Sequence, residues 1–250
     1  MKRSIALLLS LVLGCTGIAF ATVLETSPSS AATPFWRLVV NDQFNSGGVP
    51  SHWSRYDGPY GSGPENCARP DHATVRGGTM RMLLKHRTSG DCGRGWYSAG
   101  MMLNKKFGAV DQKISVRFRV ASDGVRGHRI IPMRWPSSGA WPEGGEEDFC
   151  EGSSYDGCST FLHSADDRES QHYRVDLAKW HVMTFVRRDF TVRAFIDGKL
   201  RWKYKGNRAT LPATVKRPVL QQECRSGGCP GGTRGQETIL IDWIKVYNPS

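Results

Sequence analysis

The 250-residue sequence lacks the spacings that mark several large classes of protein. It has no Cys-x-x-Cys or His-x-x-x-His pair to clasp zinc. A phosphate-cradling glycine loop and a heme signature are missing too, so no organic cofactor is expected. Apolar residues never recur with helical period over a long stretch, which excludes helical bundles. No linker, internal repeat or low-complexity tract divides the chain. Lys and Arg are scattered, with no recognition helix or nucleic-acid fingerprint, so nucleic acid is not an expected partner. The one long apolar run, Ile5 to Phe20, is interrupted by small or weakly polar residues. It falls short of the ~20 residues needed to cross a bilayer.

That run follows Lys2 and Arg3 and precedes a polar, Pro-containing stretch from Glu25 to Ala32, the layout of a secretory leader. Residues 1–32 are expected to be a signal peptide cut after Ala32, with Ala19-Phe20-Ala21 as a second site. Leu13-Gly14-Cys15 weakly resembles a lipoprotein attachment box, but the apolar run continues past Cys15. Residues 33–250 then form a single domain, expected to be exported, monomeric and free of the membrane. Of seven cysteines, Cys15 leaves with the leader. An even number in an exported chain indicates disulfides. Short loops favour Cys150 with Cys158 and Cys224 with Cys229, which leaves Cys67 for Cys92. The formal charge is +11. The leader holds Lys2, Arg3 and Glu25, so its removal lowers the charge by one. Such a charge suits solubility, an acidic cell wall or an anionic polysaccharide.

Period-two alternation dominates the remainder. Ile114, Val116, Phe118 and Val120 alternate with Lys113, Ser115, Arg117 and Arg119. Phe190, Val192, Ala194 and Ile196 run into Asp197-Gly198, beyond which Leu200, Trp202 and Tyr204 alternate with basic residues. Asp-Gly between two such runs predicts a hairpin. Further strands are expected at 36–40, 80–85, 98–103, 129–133, 182–186, 218–222 and 238–247, about ten in all. The segments 47–65 and 226–235 read as loops. Trp53, Tyr56 and Tyr60 in the first of these could stack on sugars or pack over the core. The fold class expected is all-β, a two-sheet antiparallel β-sandwich of the jelly-roll type.

From Trp141 to Gly152, five of twelve residues are acidic. Side chains at i and i+2 of a strand share a face, so Glu146 and Asp148 point together. Glu151, five positions from Glu146, points away unless one extra residue is inserted. A β-bulge is such an insertion. With it, three carboxyl groups line one surface over roughly 10 Å. Like charges so close raise one another's pKa, and one of them holds a proton near neutrality. Glycoside cleavage needs that division between an attacking carboxylate and a protonated donor. Neighbouring side chains on one strand suit the ~5 to 5.5 Å separation of a retaining mechanism.

Glu146-x-Asp148-x-x-Glu151 after Trp135-Pro136 and Trp141-Pro142 resembles glycoside hydrolase family 16, the laminarinase, lichenase, agarase and carrageenase group with a concanavalin A-like jelly roll. The resemblance continues in Asn41-Asp42-Gln43-Phe44-Asn45, Phe107-Gly108, Trp180-His181, Ile196-Asp197-Gly198 and Ile241 to Tyr247. It implies a secreted retaining endo-glycanase acting on a polysaccharide in a concave cleft. Glu146 would be the nucleophile, Glu151 the acid/base and Asp148 the neighbour that tunes them. Trp135 and Trp141 would be sugar-contacting walls, with His163 and Gln221 on adjacent strands. Asp242 is the position at which the resemblance would put a structural calcium ion. A non-catalytic glycan-binding jelly roll, a lyase and a transglycosylase on the same fold remain open. One departure stands out: Glu147 occupies a place that is usually apolar in the family and points into the core. A buried carboxylate needs a partner; Arg134, Arg117 or a histidine would serve, or else Glu147 belongs to the site.

Overall fold

The computed structural model describes residues 35–60, 66–122, 128–153, 157–166, 168–224, 229 and 235–250. The expected leader, its cleavage sites and Cys15 lie outside the described residues, as does all but two residues of the 226–235 loop. The first half of the described chain forms β1 (Trp36–Asp42), β2 (Trp53–Arg55), β3 (Gly58–Pro59), β4 (Asn66–Ala68), β5 (Ala73–Arg76), β6 (Thr79–Arg87), β7 (Gly95–Ser98), β8 (Gly100–Leu103) and β9 (Gln112–Ser122). The second half forms β10 (His128–Pro136), β11 (Glu146–Ser153), β12 (Gly157–His163), β13 (Arg168–Tyr173), β14 (His181–Arg188), β15 (Thr191–Ile196), β16 (Lys199–Lys205), β17 (Lys216–Cys224) and β18 (Gln236–Pro249). Two single 3-10 turns, Pro70–His72 and Lys105–Phe107, are the described helical pieces.

The strands pair into two sheets. The larger has the order β16-β15-β14-β9-β18-β6-β7-β4-β3, with β1 also on β18 and β5 also on β6. The smaller runs β13-β12-β11-β10-β17-β8-β2. Pairing is antiparallel except between β4 and β7. Alternation decides which face is buried: Ile114, Val116, Phe118 and Val120 of β9 point into the sandwich, as do Met183 and Phe185 of β14. From the smaller sheet come Met101, Leu103, Phe149, Leu162 and Leu220. Phe149 and Phe185 stack across the gap with ring centroids 4.5 Å apart. Each such side chain contributes about 1.5 to 3 kcal/mol by leaving water.

The Asp197-Gly198 hairpin forms between β15 and β16, with φ of 51° and 76° as a type I′ turn requires. Two expectations need correction. The run 98–103 is not one strand, because the chain passes at the fully buried Ala99 from β7 in the larger sheet to β8 in the smaller. Alternation reports a buried face without saying which sheet owns it. The 47–65 loop contains β2 and β3, strands too short to show a period. Three disulfides form, Cys67–Cys92, Cys150–Cys158 and Cys224–Cys229, the pairing expected from loop lengths.

Candidate active site

Strand β11 is irregular against both neighbours. Toward β12, Asp148 faces Phe161 and Glu151 faces Ser159, three steps against two. Toward β10, Met133 faces Asp148 and Ile130 faces Gly152, three steps against four. The extra residue lies at Phe149-Cys150, and both of these side chains turn into the core. Glu146, Asp148 and Glu151 therefore share the outer face of the smaller sheet. The Cys150–Cys158 bridge ties the bulge to the next strand. Gly145 enters β11 at φ +71°, a left-handed conformation that costs glycine nothing.

The three carboxyl groups line a cleft of about 560 Å³ over this face. Its wall and floor include Trp135, Trp141, His163 and Gln221, so the seven residues that the sequence assigned to catalysis and sugar binding meet there. The indole N–H of Trp141 donates to Glu146 Oε2 at 2.8 Å, a contact that the sequence did not announce. The His163 Nε2 stands 3.3 Å from Asp148 Oδ2. Tyr56 and Tyr60 also face the cleft, whereas Trp53 is a core residue whose N–H donates to Asp42 at 2.7 Å. Gly100 makes room for Tyr56, since a Cβ there would sit 2.3 Å from its ring. Met102, Met133, Arg168 and Glu223 complete the lining. Glu223 was legible as the i+2 neighbour of Gln221 on β17; Arg168 lies in a charged stretch with no period to read.

Burial, and then the Asp148 charge, push the Glu146 carboxyl up to about 8. The two acids share a hydrogen bond, so this behaviour belongs to the pair and one proton is held between them at neutral pH. Burial also pushes His163 below its ordinary value, against the pull of Glu146, and keeps its imidazole neutral. The Glu146–Asp148 pair thus keeps one proton on the cleft face that Glu151 shares.

Glu147 faces the opposite way and is 2% exposed. Arg134 pairs with it directly, and Arg187 Nε and Lys216 Nζ each lie 3.3 Å from Oε1. Arg187 also meets Asp111 at 2.6 Å. Arg134 spends its remaining donors on Gln112 and the carbonyls of Ala109 and Val110. Of the partners considered from sequence, Arg134 is present; Arg117 lies instead on the outer face of the other sheet. These cations outweigh the cost of burying Glu147 and hold its carboxyl down to about 2.

Arg117 is 2.5 Å from Asp242, the bulged residue of β18. The guanidinium thus already neutralises this carboxylate. Among the described residues no group of three or more His, Cys, Asp or Glu could hold a metal. Asp242 is therefore engaged by Arg117 and does not belong to a cluster of acidic ligands among the described residues.

No family model matches the sequence. A curated beta-glucanase of Rhodothermus marinus is 25% identical over 284 aligned positions, which cover 99% of this chain and 95% of that protein. The laminarinase of Rhodothermus marinus has the same fold at TM-score 0.72 and 22% identity, covering 86% of this chain and 98% of that one. The catalytic domain of an endo-1,3-beta-glucanase (laminarinase) from Thermotoga petrophila RKU-1 superposes at TM-score 0.72 with 19% identity, covering 86% and 98%. SCLam, a non-specific endo-beta-1,3(4)-glucanase from family GH16, gives 0.71 and 18%, covering 88% and 94%. The chain thus shares the jelly roll of family GH16 glucanases and is similar along nearly its whole length to a beta-glucanase, in line with the family resemblance of its ordered motifs.

Proposed function

We propose that the protein is a secreted, retaining endo-β-glucanase that cleaves internal bonds of a β-1,3- or mixed-linkage glucan. The observation that carries this reading is the bulge in β11, which turns Glu146, Asp148 and Glu151 onto one cleft face. The names of its relatives supply the substrate class.

In this mechanism Glu146, ionised, attacks the anomeric carbon while Glu151 donates a proton to the leaving oxygen. Water, deprotonated by Glu151, then hydrolyses the glycosyl-enzyme. Asp148 takes the shared proton when Glu146 ionises, and the Trp141 N–H holds Glu146 Oε2 in place. Trp135 and Tyr56 offer ring faces to the sugars, and Gln221 and His163 offer hydrogen bonds. The chain's own carboxyl groups perform every step, so no cofactor is invoked. The three disulfides and the leader-like residues 1–32 support export, with residues 33–250 acting as one catalytic domain and as a monomer.

The test is hydrolysis of a polysaccharide panel, with the anomer of the first product followed by proton NMR. Native protein should release oligosaccharides from laminarin or mixed-linkage glucan with retained configuration. Glu146→Gln and Glu151→Gln should fold and keep at most a trace of activity. Either variant working at the native rate would exclude these roles. Binding without turnover by the native chain would favour the glycan-binding module.

A further inference from the structure

We propose that the outer face of the larger sheet is a second glycan-binding surface, for an acidic polysaccharide bearing carboxylates. Buried Ile114, Val116, Phe118 and Val120 turn the alternate residues Lys113, Arg117 and Arg119 outward. Register places Arg193 against Lys203, Val186 against both Arg193 and Lys113, and Lys113 against Tyr247. This row crosses five strands, roughly 19 Å at the usual spacing between strands. Lys245 and Arg117 lie in the next rows along β18 and β9.

The five strands β9, β14, β15, β16 and β18 contain two carboxylates in all. Glu237 is fully buried, and Asp242 is paired with Arg117. The face is therefore cationic almost without relief. Several of its cations are also held in place by aromatic rings, which lowers the ordering cost of binding. Lys113 Nζ lies 4.8 Å from the Tyr247 ring centre and Lys245 Nζ 5.0 Å from that of Trp243. The Arg117 and Arg119 guanidiniums lie 4.6 and 5.5 Å from the Trp180 ring. The opposite face of the sandwich presents Glu146, Asp148, Glu151 and Glu223. An acidic chain is thus drawn to the back of the molecule and repelled from the cleft. A planar guanidinium donates two parallel hydrogen bonds to a uronate carboxylate. The surface would hold the protein on an acidic matrix while the cleft works on a different, neutral polymer.

The experiment is affinity electrophoresis of the whole folded protein in gels containing polygalacturonate, with neutral β-glucan hydrolysis measured alongside. Retardation by polygalacturonate is expected at low salt, with loss at high salt. Lys113→Glu/Arg193→Glu/Lys245→Glu should weaken binding on the order of tenfold or more, with melting temperature and glucan hydrolysis unchanged. The corresponding triple Gln variant, a gentler perturbation, should fall between the two. Unaltered retardation of both triple variants would overturn the proposal. Equal retention on double-stranded DNA, lost in the same variants, would overturn it too, because the face would then be a general polyanion surface. Failure of the native protein to cleave any glucan would count against the proposed hydrolysis and leave the binding result standing.

Discussion

Replacing Glu147 by Leu tests whether the core behind the candidate nucleophile is held by charge. Glu147 is 2% exposed, and its partners Arg134, Lys216 and Arg187 are 0%, 0% and 1% exposed. The substitution fills the space but leaves three buried cations with Asp111 as the carboxylate that remains in the group. Removing one partner of a buried ionic group costs about 3–5 kcal/mol. The pKa points the same way: a carboxyl held at about 2 rather than 4.5 corresponds to about 3 kcal/mol. At ~2–4 °C per kcal/mol for a domain of this size, the melting temperature should fall by roughly 6–20 °C. The sign with pH is fixed as well. A carboxyl whose folded pKa is depressed stabilises above its unfolded value and stops doing so as pH falls from about 4.5 toward 2. The native protein should lose that increment over this window, and Glu147→Leu should not. Lys216 behaves differently, because burial and then the neighbouring guanidiniums oppose Glu147 and hold its amine down to about 8. Folding thus resists the Lys216 proton, and stability should rise as pH goes from about 8 to 10.5. Lys216→Met should therefore cost less than about 1 kcal/mol, and it should recover part of the loss when added to Glu147→Leu. Differential scanning calorimetry across pH measures all three. A melting temperature for Glu147→Leu within 2 °C of native would refute the account.

Trp141→Phe keeps a ring at the cleft mouth but removes the donor to Glu146 Oε2. Steady-state kinetics should show kcat/KM lowered about 10- to 100-fold, the 1.5–3 kcal/mol of a hydrogen bond to a charged group; a change within twofold would show that the indole only stacks. Asp148→Asn removes the charge that helps raise Glu146. Activity should rise with pH as Glu146 ionises, and the acidic limb of kcat/KM should move to lower pH in the variant; an unmoved limb would assign it to another group. Calcium or a chelator should leave the melting temperature unchanged as far as Asp242 is concerned, because Arg117 already holds that carboxylate; a calcium-dependent rise abolished by Asp242→Asn would overturn this.

Much of the architecture follows from order along the chain. Alternation in β9, β14 and β15 names the buried face, since a strand repeats every two residues whatever it pairs with. Asp197-Gly198 forms its turn from local backbone preference, and short loops select the disulfide partners. The spacing of Glu146, Asp148 and Glu151 already required an inserted residue if they were to act together. Tertiary structure alone decided the rest. It separated Gly95–Ser98 from Gly100–Leu103 into different sheets at Ala99. It brought Arg134, Arg187 and Lys216 from β10, β14 and β17 around Glu147, and turned Trp141 back onto Glu146. Those contacts join residues distant in the chain, or close in it but bent by a turn. A periodic pattern records which way a side chain faces and carries nothing about what it meets there.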